Sequence, residues 1–237
     1  MNLFITSLLI LINVYICCEE VKYSDLKKVG DLYYNQINNQ LYSGKVSGPI
    51  YGQIKKGKKE GEYFKYFKSG IIHIHARYKN NLPQGIWKEY YDNGNLLKKM
   101  TFKNGILHGD NEDYYRIGQV LRKTKYFEGV LEGEARTYYK NGQLQSKKKY
   151  QNGKLNGSFL VYHEYEINEV TQIKISRYYK DGLAVGKYIE FHENGNLKSE
   201  GTYKNGKLEG IFNKYLRSGK LQKTNFYKNG ILQDNKR

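Results

Sequence analysis

The sequence predicts an all-β protein, an elongated, twisted array of antiparallel β-hairpins on a 24-residue repeat. Glycines mark the step: Gly61, Gly85, Gly109, Gly133, Gly157, Gly186 and Gly210 follow one another at 24 residues, with one step of 29 after Gly157. Each is followed five residues later by a ring (Tyr66, Tyr90, Tyr114, Tyr138, Tyr162, Phe191, Tyr215), and all but Gly157 by a second glycine four residues beyond that (Gly70, Gly94, Gly118, Gly142, Gly195, Gly219). No segment after residue 18 sustains a 3.6-residue apolar period, so little helix is expected. Self-similarity at a fixed period marks a stacked repeat architecture, which works as a surface more than as a single pocket.

Taken in chain order, residues 1–18 are apolar and uncharged, and Glu19-Glu20 follow at once. The run is short of the ~20 residues that span a bilayer and reads as a secretory signal. That places the protein in the periplasm or cell envelope, with lipid attachment at Cys17 or Cys18 a variant of the same reading and a cytoplasmic location the alternative. Both cysteines fall in this segment, so cleavage after Cys18 leaves neither a disulfide nor a cysteine metal site. Residues 19–50 form a lead-in whose Leu32-Tyr33-Tyr34 and Leu41-Tyr42-Ser43-Gly44 resemble a degenerate first hairpin, a cap for the array.

Residues 51–237 hold about seven units. In residues 85–108, Asp92-Asn93-Gly94 and Lys103-Asn104-Gly105 both predict tight Asn-Gly hairpin turns with two residues at positive φ. The runs between them, rich in Tyr, Phe, Trp and Thr, suit half-buried strands. Tyr78, Phe102, Tyr126, Tyr150, Tyr179, Tyr203 and Tyr227 keep the period, as do Leu107, Leu131, Leu155, Ala184, Leu208 and Leu232. Such columns become ladders along the array, and the rings, at roughly 150–250 Å² each, are the expected core. At about 4.8 Å per strand the array extends on the order of 75 Å.

The formal charge of +17 belongs entirely to the chain after residue 18 and invites anionic partners: acidic proteins, anionic lipid, polysaccharide or nucleic acid. Strict columns of rings argue for structure over base stacking, which disfavours nucleic acid. Lys147-Lys148-Lys149 falls on a predicted strand, with Lys148 on the face opposite its neighbours, and reads also as a lysine-guarded strand edge.

Chemistry is hard to find. His73 and His75 could share a face as two metal ligands, but no third ligand is placed to complete a set. His163 and His192 occupy the column of Tyr91, Tyr115 and Tyr139 and read as ladder substitutions. The glycine phrases read as hairpin turns and lack the context of phosphate loops. Acidic positions show no repeating pairing. No catalytic residue, metal site or cofactor is nominated. The one irregular place is the unit starting at Gly157, where five extra residues replace the Asn-Gly turn; Tyr165, Glu166, Ile167 and Glu169 are the candidate partner-binding residues, since insertions in arrays map to one face.

Residues 204–210, Lys-Asn-Gly-Lys-Leu-Glu-Gly, followed by Tyr215 and Gly219, resemble the bacterial variant of the MORN (membrane occupation and recognition nexus) repeat, as does Lys-Asn-Gly-Gln-Leu at 140–144. The chain is similar to the YwqK-family antitoxins of toxin–antitoxin systems. That resemblance implies a non-catalytic protein that binds and neutralises a partner toxin. The readings are therefore a protein-interaction scaffold, with antitoxin or immunity action, and, as the alternative, a binder of anionic membrane lipid or envelope polysaccharide.

Overall fold

The computed structural model describes residues 20–165 and 172–233. Residues 1–19, and with them the signal reading, lie outside the described residues. The strands are β1 (Glu20–Lys22), β2 (Leu26–Val29), β3 (Leu32–Asn35), β4 (Gly44–Ser47), β5 (Ile50–Lys55), β6 (Lys58–Tyr66), β7 (Ile72–Lys79) and β8 (Leu82–Tyr90). There follow β9 (Leu96–Lys103), β10 (Ile106–Tyr114), β11 (Val120–Phe127), β12 (Val130–Leu131), β13 (Gly133–Tyr138), β14 (Leu144–Gln151) and β15 (Lys154–Tyr162). The last are β16 (Ile173–Lys180), β17 (Leu183–Phe191), β18 (Leu197–Lys204), β19 (Lys207–Leu208), β20 (Gly210–Tyr215), β21 (Leu221–Lys228) and β22 (Ile231–Gln233). No α-helix occurs among the described residues.

Twenty of these strands make one sheet, and its residue ladders run antiparallel in chain order from β4 to β22. β1 adds to β4 in parallel, and β2 and β3 form a separate hairpin. The predicted fold class holds.

The two turns of a unit differ. At Asn104-Gly105 both residues have positive φ (51° and 81°), the two-residue turn the sequence predicts, repeated at Asn152-Gly153, Asn205-Gly206 and Asn229-Gly230. At Asp92-Asn93-Gly94 only Gly94 (φ 85°) is left-handed; the Tyr91 amide donates to the Asn95 carbonyl at 2.8 Å and the Gly94 amide to the Tyr91 carbonyl at 3.0 Å. This is a three-residue loop closed by a left-handed glycine, so the expectation of two identical turns is corrected. Gly85 lies within β8, where the register against β7 slips between Gln84 and Lys88, and it sits at φ 66°, a bulge.

Successive units are joined largely through backbone carbonyls. The hydroxyls of Tyr91, Tyr115 and Tyr139 donate to the carbonyls of Tyr114, Tyr138 and Tyr162, each in the next unit, at 2.8–3.0 Å. His163 and His192 continue the column, their Nε2–H donating to the Phe191 and Tyr215 carbonyls at 3.1 Å, which bears out the ladder reading and fixes that tautomer. The residue before the repeat glycine caps the following turn: Glu60, Glu132 and Glu209 accept from the amides of Asn80, Asn152 and Asn229 at 2.7–3.0 Å. Acidic positions therefore do repeat, contrary to expectation, and the Glu-Gly pair is a structural unit.

Buried apolar volume concentrates where the lead-in covers the first units. Leu26, Tyr33, Tyr42, Val46 and Ile54 form one cluster, and Tyr63, Ala76 and Tyr78 the next, with Trp87 against it. Fully burying residues such as Val46 and Ile54 contributes about 1.5–3 kcal/mol each. Beyond them the array is a single layer held by ring-on-ring packing.

Candidate interaction surface

Cross-strand register sorts the side chains onto two faces. On one, Lys88 lies opposite Lys99, which lies opposite Glu112, then Lys123, Arg136 and Lys147, one residue from each of β8, β9, β10, β11, β13 and β14. Like charges set directly opposite one another are unfavourable. Two carboxylates offset part of that repulsion. Glu112 lies 2.9 Å from Lys123 and 3.7 Å from Lys99, and Glu134 lies 2.7 Å from Lys147 and pairs also with Arg136.

The hydroxyl of Tyr114 donates to Glu112 at 2.6 Å, and this bond first, then the lysines, hold its carboxyl below the ordinary range against partial burial. For Glu134 partial burial pushes upward, but bonds from Lys147 and Arg136 outweigh it and the carboxyl is lowered. Lys123 is raised, chiefly by its bond to Glu112. Glu112, Glu134 and Lys123 are thereby held in their charged forms. Between the two carboxylates lies an open cavity of about 320 Å³ whose rim includes Lys125 and Asp110. Beyond Lys88 the row continues through His75 and Phe64, and beyond Lys147 through Leu160 and Ser176.

The opposite face carries the rings. Tyr63, Tyr78, Trp87 and Phe102 contact in sequence at centroid distances of 5.3, 6.0 and 6.0 Å, and Tyr203, Tyr188, Phe212 and Tyr227 do the same at 6.0 Å. Asn111 and Ala135 interrupt the column between them, both buried. Cations rest on the rings: Lys148 Nζ lies 5.1 Å from the Phe159 centroid and the Arg177 guanidinium 4.7 Å from that of Tyr188. Lys147 and Lys148 thus face opposite ways, as alternation predicts. The reading of a guarded edge is corrected, because β14 is paired on both sides, with β13 and β15.

His73 and His75 do not converge on a common ligand. His75 bonds Glu62 at 2.7 Å and stacks on Phe64 at 4.4 Å, while His73 faces Glu89 at 3.6 Å and stacks on Phe67 at 4.2 Å. No cluster of three or more metal-ligating side chains occurs among the described residues. Of the residues singled out in the insertion, Tyr165 is clamped to the preceding unit: its amide donates to Gln143 Oε1, and Gln143 Nε2 donates to its carbonyl, both at 2.9 Å. Glu166, Ile167 and Glu169 lie outside the described residues. The charged row was not singled out from the sequence, although its signal was there: Lys99, Lys123 and Lys147 stand 24 apart, as do Lys88, Glu112 and Arg136.

A hairpin array with this periodicity defines a class of repeat protein, and the family comparison agrees. Residues 59–80, 83–104, 131–152, 184–205 and 208–229 match the MORN repeat variant. Comparison with curated proteins returns no match. Each matched segment begins two residues after a two-residue turn and ends on the first residue of the next one, so the matched unit is the pair of strands around a three-residue loop described above, or, in 131–152, 184–205 and 208–229, its equivalent.

Proposed function

We propose that the chain is a non-catalytic scaffold whose charged face binds a protein partner of acidic surface, and that the partner is a toxin which this protein neutralises as an antitoxin or immunity protein. The observation that carries the binding reading is the row from Lys88 to Lys147. Opposed cations in paired strands cost stability, and an array built on carbonyl ladders does not need them. Their interleaving with Glu112 and Glu134 suits a protein surface of mixed charge, where complementarity gives register as well as attraction. The resemblance to antitoxins supplies the kind of partner, and the signal reading of the apolar residues 1–18 supports an encounter in the periplasm or envelope.

The test is co-expression with a toxin encoded beside this gene. The wild-type chain should restore growth, and a Lys123→Glu, Arg136→Glu variant of unchanged thermal stability should not. Equal rescue by the variant removes the charged face from the reading. The alternative, an anionic lipid or envelope polysaccharide, is favoured by the excess of cations in the same row. Co-sedimentation with phosphatidylglycerol vesicles, lost as salt shortens the screening length to about 8–10 Å, would support it over a packed protein contact.

A further inference from the structure

Where the lead-in crosses the ring-bearing face, a cavity of about 420 Å³ opens between Tyr33, Tyr78, Trp87 and Phe102, with Lys59 in its wall and Lys28 and Asp31 at its rim. We propose that this cavity is a binding site for a small flat-ringed oxyanion, an aromatic carboxylate in its simplest form. Three observations support it.

The walls are ring faces and edges already held in place. Tyr78 and Trp87 meet edge to face at 6.0 Å and 71°, and Trp87 and Phe102 are tilted at 58°, which leaves planar surface for another ring. The cation is preset. Lys59 Nζ stands 4.1 Å from the Tyr63 centroid and 4.9 Å from that of Tyr78, and no carboxylate pairs with it among the described residues. The charged groups around it are Lys28, Lys65 and the rim carboxylate Asp31, so cations outnumber anions and an arriving carboxylate meets net positive charge. Desolvation first, then repulsion from Lys28 and Lys65, lowers Lys59 to about 8, as expected of an ammonium lacking its counter-ion.

The third observation is a departure from the repeat. Where other units have Gly105 or Gly153 at the second turn position, this one has Asn81, at φ 70°. Its side chain accepts from the Lys59 amide at 2.6 Å and donates to the Asp31 carbonyl, tying cap, turn and Lys59 backbone together. An asparagine there costs conformational ease that glycine would supply, and what it secures is the geometry of this cavity.

Trp87 is the single tryptophan of the chain, so its emission reports on the site alone. Titration of the full chain at pH 7 with benzoate, benzamide and benzylamine is the experiment. Benzoate should give a saturable change at about millimolar concentration, a typical affinity for so small a ligand, and the neutral and cationic rings should bind at least ~10-fold more weakly. Lys59→Met should abolish the preference for benzoate while far-UV circular dichroism stays unchanged; Phe102→Leu should weaken all three rings and keep the preference. Raising the pH from 7 to 9.5 should weaken benzoate in the wild type only. Equal binding of the three rings, benzoate binding indifferent to Lys59→Met, or no saturable response to benzoate overturns the proposal.

Discussion

Gly201→Ala is the sharpest test of ring packing as the glue of the array. Gly201 lies in β18 opposite Tyr188, in ordinary extended backbone, where a methyl group alone should stabilise by roughly 0.5–1 kcal/mol through reduced chain entropy. Its added Cβ would, however, stand 2.6 Å from Phe212 Cδ2 and 3.5 Å from the Ile211 carbonyl oxygen. Phe212 cannot slide freely, since Tyr188 lies stacked on one side and Tyr227 edge-on at the other, each at 6.0 Å. Moving it breaks two ring contacts, and overpacking of this kind costs about 1–3 kcal/mol. The net expectation is a loss of about 1–2 kcal/mol, which at 2–4 °C per kcal/mol lowers Tm by roughly 2–8 °C. Hydrogen exchange should place the loosening in β17–β21, since repeats couple mainly to their neighbours. Phe212→Leu in the same chain should recover most of the loss. A stabilised Gly201→Ala variant, or a loss that Phe212→Leu leaves untouched, refutes the argument.

Four further outcomes follow from the same contacts. Tyr115→Phe leaves the partly buried Tyr138 carbonyl without its 2.8 Å partner and should cost about 1 kcal/mol in urea unfolding; an unchanged midpoint would deny the ladder its role. Glu132→Ala should cost about 1 kcal/mol by uncapping the Asn152 amide, with Glu132→Gln recovering most of it, since Gln84 already caps Asn104 in this way. Glu128 takes φ 48° where neighbouring units have asparagine, so Glu128→Asn should stabilise by roughly 1 kcal/mol, measured by thermal unfolding. Lys59 holds its proton to 10.5 when unfolded but only to about 8 when folded, so wild-type stability should rise with pH across 8–10.5. That displacement corresponds to about 3 kcal/mol, and partial solvation of the ammonium brings the expectation to about 1–2 kcal/mol, the gain of Lys59→Met at pH 7 that should vanish by pH 10.5.

Much of the fold was legible because period and turn chemistry are local. Asn104-Gly105 announces its own turn, and the 24-residue step aligns every equivalent strand. What escaped depends on register. Whether Lys88 lies beside Lys99 is set by the three-residue loop at Asp92-Asn93-Gly94 and the slip of register between Glu89 and Tyr90, and the two-residue turn expected there shifts every pairing of that hairpin. The role of Glu132 escaped for another reason: its partner Asn152 is twenty residues away, so no local pattern connects them. The cavity at Lys59 needed the path of residues 20–50, which the repeat does not encode.

The step of 29 residues shows how the array accepts change. In other units the first turn is closed by a backbone pair such as Tyr139 amide to Gln143 carbonyl; here the His163 amide reaches the Gln172 carbonyl at 3.1 Å, so the base of the loop is kept. On either side of it the ladder is intact, from Tyr139 to the Tyr162 carbonyl and from His163 to that of Phe191. Register in β15 and β16 therefore does not depend on the length of chain between 163 and 172. Lengthening a loop from three residues to eight costs only about 0.9 kcal/mol in closure entropy. Because cohesion resides in carbonyls and rings, both the loops at this turn and the outward charges of the row can vary at little cost. That is the physical licence for a scaffold whose partner is chosen by its surface.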